Sequence, residues 1–416
     1  MKKYINSFYI EFLLYSLIIG FFSILFSIIV DYALNFCNKI FNYNNLYMFF
    51  YTPILFVIVV VILRKIFPYS DGSGIPQGYL VDSYDKYYLK KIYSIYSSIG
   101  KALLTFISIL AGASLGKEGP TVQVSSSLLA QIKNISDNKK RLLIKIGSGV
   151  GVAAAFNTPI GGMVFALEEY IKQINPKIAT QLIAATFIAV STVNLINGSI
   201  PYIGFTNHKL LFVSKIVLLI SAIMGILVGI CGVIFTKIVI KFTIKDSLIN
   251  RFRQKHYILT AIIFGFLVGL IGYFTKGLSF GNGAILLNQS ISNNELLPWY
   301  FAIAKFLGAI FSISAGVVGG YFSTGLSIGA GIGAIVYKYF SVLPLLQFYL
   351  LGMVAFISAI TQSPITAVAM VVEMSNSSEF CIALLLSAFL SSFVSELFGG
   401  SVYHQQIIKY KHYTYS

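Results

Sequence analysis

Apolar residues run in long blocks from end to end, at 12–30, 47–63, 178–197, 211–240, 256–274, 299–313 and 380–398. Each is near the roughly 20 residues of helix needed to cross the hydrocarbon of a bilayer. Lipid offers the backbone no hydrogen-bond partner, so helices are predicted throughout. The first block is bracketed by Glu11 and Asp31 and has no small-residue cleavage site, which predicts a retained helix, not a signal peptide. The fold class is an all-α, multi-pass integral membrane protein.

Composition strengthens that reading. Of 416 residues, 57% are hydrophobic and 11% charged, with a mean hydropathy of +0.81. A soluble globular chain carries about a quarter charged residues. The net charge of +16, from 30 Lys and Arg against 14 Asp and Glu, raises nucleic acid as a partner. No basic-aromatic recognition motif accompanies it, so the basic residues are expected to set orientation and meet anionic lipid instead. Lys2, Lys3, Lys86, Lys90 and Lys91 are candidate cytoplasmic anchors, although Lys139, Lys140 and Arg141 form a rival cluster. Cys37, Cys231 and Cys381 have no paired spacing and read as packing residues. With four His and neither a His-Glu-x-x-His nor a Gly-x-Ser-x-Gly pattern, no enzyme, metal site or cofactor is expected.

The chain also repeats itself. Shifted by about 204, Ala111-Gly112…Gly116…Pro120 falls on Ala315-Gly316…Gly320…Thr324. At an offset of 205, Phe156-Asn157-Thr158-Pro159-Ile160…Glu168 falls on Thr361-Gln362-Ser363-Pro364-Ile365…Glu373. Two related halves are expected, 1–205 and 206–404, within a single membrane domain that ends in a short polar tail at 405–416. Gly- or Pro-interrupted segments at equivalent positions of such halves point to a midplane binding site made from broken helices.

Three Gly-rich segments could start those helices: Gly72-Ser73-Gly74-Ile75-Pro76, Gly116-Lys117-Glu118-Gly119-Pro120 and Gly319-Gly320-Tyr321-Phe322-Ser323-Thr324. A helix start carries about half a positive charge and unpaired N–H groups, so converging starts make an anion site. Glycine lets the backbone approach a ligand, and proline in the first turn loses no needed hydrogen bond. Each segment alone could equally be a turn or a close helix contact. A carboxylate such as Glu118 at membrane depth costs roughly 2.5–3.5 kcal/mol on insertion scales, which marks it as functional. A structural ion pair with Lys117 is the alternative.

The three motifs, in this order, resemble the CLC family of chloride channels and chloride/proton antiporters, over nearly the whole chain to Tyr403. The resemblance implies an inverted-repeat helical fold with broken helices, and a homodimer in which each subunit has its own anion pathway. It implies that the Ser73 hydroxyl and the Tyr321 and Phe322 backbone N–H groups face the central anion, with Tyr403 closing the inner side. Ser73 could otherwise be a helix cap and Tyr403 an interfacial anchor. Glu118 matches the family's outer gating glutamate. Aligned through Asn157-Thr158-Pro159, Glu169 matches the inner proton-transfer glutamate, which channels generally lack; a solvated helix end, with Glu168 paired to Lys172, is the bland reading. Glu168, like its repeat mate Glu373, is expected to be structural.

The sequence departs from the family pattern in three places. Thr324 stands where proline is common, Tyr321 is bulky, and the spacing from Gly399-Gly400 to Tyr403 is one residue short. Ser73 favours chloride over the nitrate-preferring pattern with proline there, the intact first two motifs disfavour the fluoride-exporting branch, and no regulatory domain is expected after Tyr403. The expected function is exchange of chloride for protons across a prokaryotic inner membrane, with a passive anion channel as the alternative that Glu169 argues against.

Overall fold

The computed structural model describes residues 2–198, 201–203, 214–244 and 247–410. Among these the chain is a bundle of helices whose lengths follow the apolar blocks. Six helices are long and apolar enough to cross a membrane: Ser7–Tyr43, Asn45–Lys65, Pro176–Asn197, Lys215–Thr243, Tyr257–Phe274 and Ser378–Leu397. The pair Lys86–Ile92 and Ile95–Leu110, bent by 42°, makes a possible seventh. The block at 299–313 becomes the helix Tyr300–Ala315, whose 16 residues fall short of a full span. Exposed side chains such as Leu219, Ile223, Phe266 and Phe389 give the spans an apolar outer surface, as a multi-pass membrane protein requires.

Shorter helices fill the interior. Leu345–Thr361 is apolar on every face, and all of its residues are buried, which is where an all-round hydrophobic helix belongs. Asn157 and Gln362 end the helices Asp137–Phe156 and Leu345–Thr361 in the left-handed conformation, at φ 55° and 62°. The proline two residues later then opens the next helix, Pro159–Phe165 or Pro364–Ser375. The repeated polar-polar-proline pattern is therefore a repeated helix break.

The halves meet symmetrically. Gly116 and Gly320, equivalent at the offset of 204, form an antiparallel bridge, N to O at 2.7 Å one way and 2.8 Å the other. Reciprocal bonding between equivalent residues puts a local two-fold axis between them. Glu168 and Glu373 obey the same axis. The Glu168 carboxylate accepts from the N–H groups of Ile365 (3.2 Å) and Thr366 (2.7 Å) and from the Thr366 hydroxyl. Glu373 accepts from the N–H groups of Ile160 (3.1 Å) and Gly161 (2.7 Å). Neither receiving helix is capped by its own Thr158 or Ser363, so each half caps a helix of the other.

Two expectations change here. Glu168 forms no pair with Lys172 among the described residues, because residues Ala166–Tyr170 widen into a π-helical turn and the carboxylate turns to the other half. The start of the expected polar tail is helical, within Val402–Tyr410. Residues 411–416 and the expected boundary between the halves at 205/206 lie outside the described residues.

Candidate functional site

The three Gly-rich segments meet at the centre of the bundle. A Cβ on Gly74 would stand 2.6 Å from the Gly119 carbonyl oxygen, one on Gly119 2.6 Å from the Ser73 carbonyl oxygen, and one on Gly320 2.8 Å from the Gly119 nitrogen. Only glycine permits backbone contacts this close, and Gly74 also has a φ of +104°. Two long helices start at the junction, Glu118–Leu129 and Phe322–Tyr339. Pro76 opens the short turn Pro76–Tyr79, and Pro120 lies in the first turn of its helix. The third helix begins on time without proline: Thr324 sits in its first turn, with its hydroxyl 3.4 Å from the Ser114 carbonyl oxygen.

Glu118 is 1% exposed. Its carboxylate folds over Gly116, where a side chain would collide with it. One oxygen accepts from the Ser323 hydroxyl at 2.6 Å, within the first turn of the opposing helix, where the helix dipole favours an anion. The other lies 3.5 Å from the Tyr202 hydroxyl and 3.4 Å from Asn282 Nδ2. Lys117 does not pair with it. Its ammonium stands 3.8 Å from Asp31 and donates to Ser27.

A cavity of about 280 Å³ is lined by Gly72, Ser73, Gly319, Tyr321 and Gln406, together with Arg64 and Arg253. The Ser73 hydroxyl accepts from the Ile75 N–H at 3.3 Å. This contact spans two residues before the Pro76 turn, which has no side-chain cap, and it leaves the Ser73 proton free to donate. Tyr321 donates to Gln406 at 3.0 Å and stacks on Tyr403, ring centroids 5.1 Å apart. Tyr403 is fully buried, and its hydroxyl has no well-formed partner among the described residues. Phe322 packs its ring on Phe156 at 5.5 Å, leaving its backbone at the helix start.

Glu169 faces a different space. A second cavity, of about 680 Å³, is lined by Glu169, Tyr79, Tyr170, Lys145, Lys172 and His404 and shares no residue with the first. The C-terminal helix divides them, with Gln406 on one side and His404 and Ile407 on the other. Tyr79 donates to one Glu169 oxygen, and the other is buried without a partner among the described residues. His404 lies against Tyr79 with ring centroids 4.5 Å apart. Burial, and then the charge of Lys172, lowers its pKa below the ordinary imidazole value, so it adds no positive charge at neutral pH.

Sequence reasoning assigned no role to Ser323, Tyr202 or Asn282. Ser323 lay inside the third motif. Asn282 was findable, because Gly281-Asn282-Gly283 echoes Gly72-Ser73-Gly74. Tyr202 stands in a loop with no pattern to mark it.

Broken helices that start at a buried glycine junction, related by a two-fold axis, define an inverted-repeat membrane protein with a central polar site. Residues 55–396 match the voltage-gated chloride channel family, and the chain belongs to that family. It is 26% identical over 315 residues to the H(+)/Cl(-) exchange transporter ClcA of Vibrio parahaemolyticus, and 27% identical over 321 residues to that of Vibrio cholerae. Each match takes in 72% of this chain and 66% of the relative's length. Among solved structures, a slow cyanobacterial Cl-/H+ antiporter superposes with a TM-score of 0.81 at 21% identity, over 98% of both chains. A CLC-type fluoride/proton antiporter also gives 0.81, at 19% identity, over 97% of this chain and 98% of that one. At these identities the superpositions establish the fold.

Proposed function

We propose that the protein is a secondary antiporter exchanging chloride for protons, with Glu118 as the outer gate and Glu169 as the inner proton carrier. The observation that carries this reading is the seat of Glu118. A buried carboxylate held at the start of the helix Phe322–Tyr339 occupies a place suited to an anion. Charged, it competes with chloride for that place; protonated, it has no such claim and can swing away. Proton binding and anion entry then alternate at one position.

Ser73, the backbone of Tyr321 and Phe322, and the hydroxyl of Tyr403 are the groups proposed to hold chloride on the inner side. The cavity bordered by Gly72, Ser73, Gly319 and Tyr321 supplies an aqueous approach. Gly74, Pro76, Gly119, Pro120 and Gly320 bring the helix starts together. Glu169 is proposed to take protons from the separate cavity it lines, which keeps the proton route off the chloride route. The names of the curated Vibrio relatives agree with exchange. We further propose a homodimer in a prokaryotic inner membrane.

The test uses purified protein in proton-tight liposomes, with chloride and pH recorded together. An imposed chloride gradient should drive protons uphill in the opposite sense. Chloride flux without uphill proton movement would reject the reading and leave a passive channel.

A further inference from the structure

The two Gly-x-Gly loops are built alike. Lys101 donates to the carbonyls of Asp71 (2.7 Å) and Gly72 (2.8 Å), and Lys305, 204 residues on, donates to those of Phe280 (2.6 Å) and Gly281 (2.9 Å). Gly72 and Gly74 have φ of +68° and +104°, Gly281 and Gly283 +63° and +84°. Ser73 Oγ accepts from the N–H two residues on, at Ile75, and Asn282 Oδ1 does the same from Ala284 at 3.1 Å. Asn282 is therefore the second half's counterpart of Ser73. The Ser73 loop borders the inner cavity, whereas its counterpart reaches the Glu118 carboxylate.

Tyr202 is fixed from two directions. Its ring meets Phe156 edge to face at 5.1 Å, and its carbonyl accepts from Asn288 Nδ2 at 2.8 Å. Its hydroxyl, Asn282 Nδ2 and one Glu118 oxygen close a triangle with sides of 3.4, 3.4 and 3.5 Å. Phe156, Asn157 and Tyr202 border a further cavity of about 360 Å³, with Ser23 and Ser27 across it. The carboxylate thus lies between the triangle and the helix start at Ser323.

We propose that Tyr202 and Asn282 are positioning residues that clamp the charged Glu118 carboxylate in its seat and set how readily it leaves. The clamp rests on the reading of Glu118 as the gate. Both donors hold the carboxylate in its seat, so loosening them lets chloride displace it more easily. The titratable groups facing this carboxylate are Tyr202 itself and Tyr403 from the C-terminal helix, and the neighbouring Lys117 is engaged with Asp31 and Ser27. At 3.4–3.5 Å the bonds are long, so the expected effects are modest.

The experiment compares Tyr202→Phe, Asn282→Ala and Asn282→Ser in proteoliposomes, alone and combined with Glu118→Gln. Tyr202→Phe and Asn282→Ala should each raise chloride turnover about two- to fivefold and lower the protons moved per chloride. Asn282→Ser, which restores the side chain of the counterpart loop, should lie between Asn282→Ala and the parent. In the Glu118→Gln background none of the three should change chloride flux further. Unaltered turnover and proton-to-chloride ratio in folded Tyr202→Phe would overturn the clamp, as would an equal effect with and without the Glu118 carboxylate. If Glu118→Gln alone left proton coupling intact, the gate reading itself would fail, and the two failures are thereby distinguished.

Discussion

Glu118 and Glu169 are both buried carboxylates, yet their surroundings differ in kind. Glu118 is held on both oxygens, by Ser323 of a helix start on one and by Tyr202 and Asn282 of two loops on the other, all neutral donors. Among the described residues Glu169 has a single donor, Tyr79, and it borders a polar cavity with Lys145 and Lys172. A fully coordinated carboxylate resembles a bound anion, whereas a half-coordinated one beside a cavity is free to exchange protons. On the proposed reading, the contrast separates a gate, which must compete with chloride, from a proton relay.

The largest expected effect comes from removing the gate's charge. Glu118→Gln keeps the shape, so chloride flux should persist, lose its pH dependence and move no protons, as read by paired chloride and pH electrodes. Persistent coupling would erase the distinction between the two sites. Glu169→Gln should abolish uphill proton transport, at least about tenfold below the parent given the 10²–10⁴-fold worth of a positioned proton-transfer group. Chloride should still pass and keep part of its pH dependence, because Glu118 is unaltered in that variant. Normal coupling in that variant, folded, would move the proton route elsewhere in its cavity.

A smaller effect is expected at the inner anion position. Ser73→Pro removes the hydroxyl donor and should raise nitrate over chloride several-fold in competitive flux, on the scale of one hydrogen bond. An unchanged ratio would leave Ser73 with its local turn contact to the Ile75 N–H alone. The smallest functional effect belongs to Glu168, the immediate neighbour of the relay. Glu168→Gln should cost about 1–2 kcal/mol of stability through weaker capping of the helix Pro364–Ser375 and leave the proton-to-chloride ratio unchanged. Thermal unfolding in detergent, set beside the flux assay, separates the two readouts.

Much of this arrangement was legible in the sequence because it rests on backbone geometry that few residue types can adopt. The glycines of the three motifs announced a close junction, and the repeat offset of 204 marked Gly116 and Gly320 as equivalent, although not that they would bond to each other. Glu168 and Glu373 shared a position in that repeat, but their exchange of caps was not visible, since no local pattern shows which helix a carboxylate will reach. The absence of proline at Thr324 put the third helix start in doubt at the sequence level, and the fold starts it there regardless, packed on the first half through Ser114. Tyr202 and Asn282 were missed because one stands in a patternless loop and the other replaces Ser73 by a chemically different side chain. The fully buried helix Leu345–Thr361 could not be told from a lipid-facing span by hydropathy, which measures apolarity and not its partner.

The central claim is that protons and chloride share the Glu118 position by turns, and the most direct measurement is of uphill transport by the unaltered protein. In proton-tight liposomes with a chloride gradient and the membrane potential set independently, the interior pH should move against the proton's own gradient at a fixed ratio to chloride. A pH trace that follows only the proton gradient, while chloride flows freely, would contradict it.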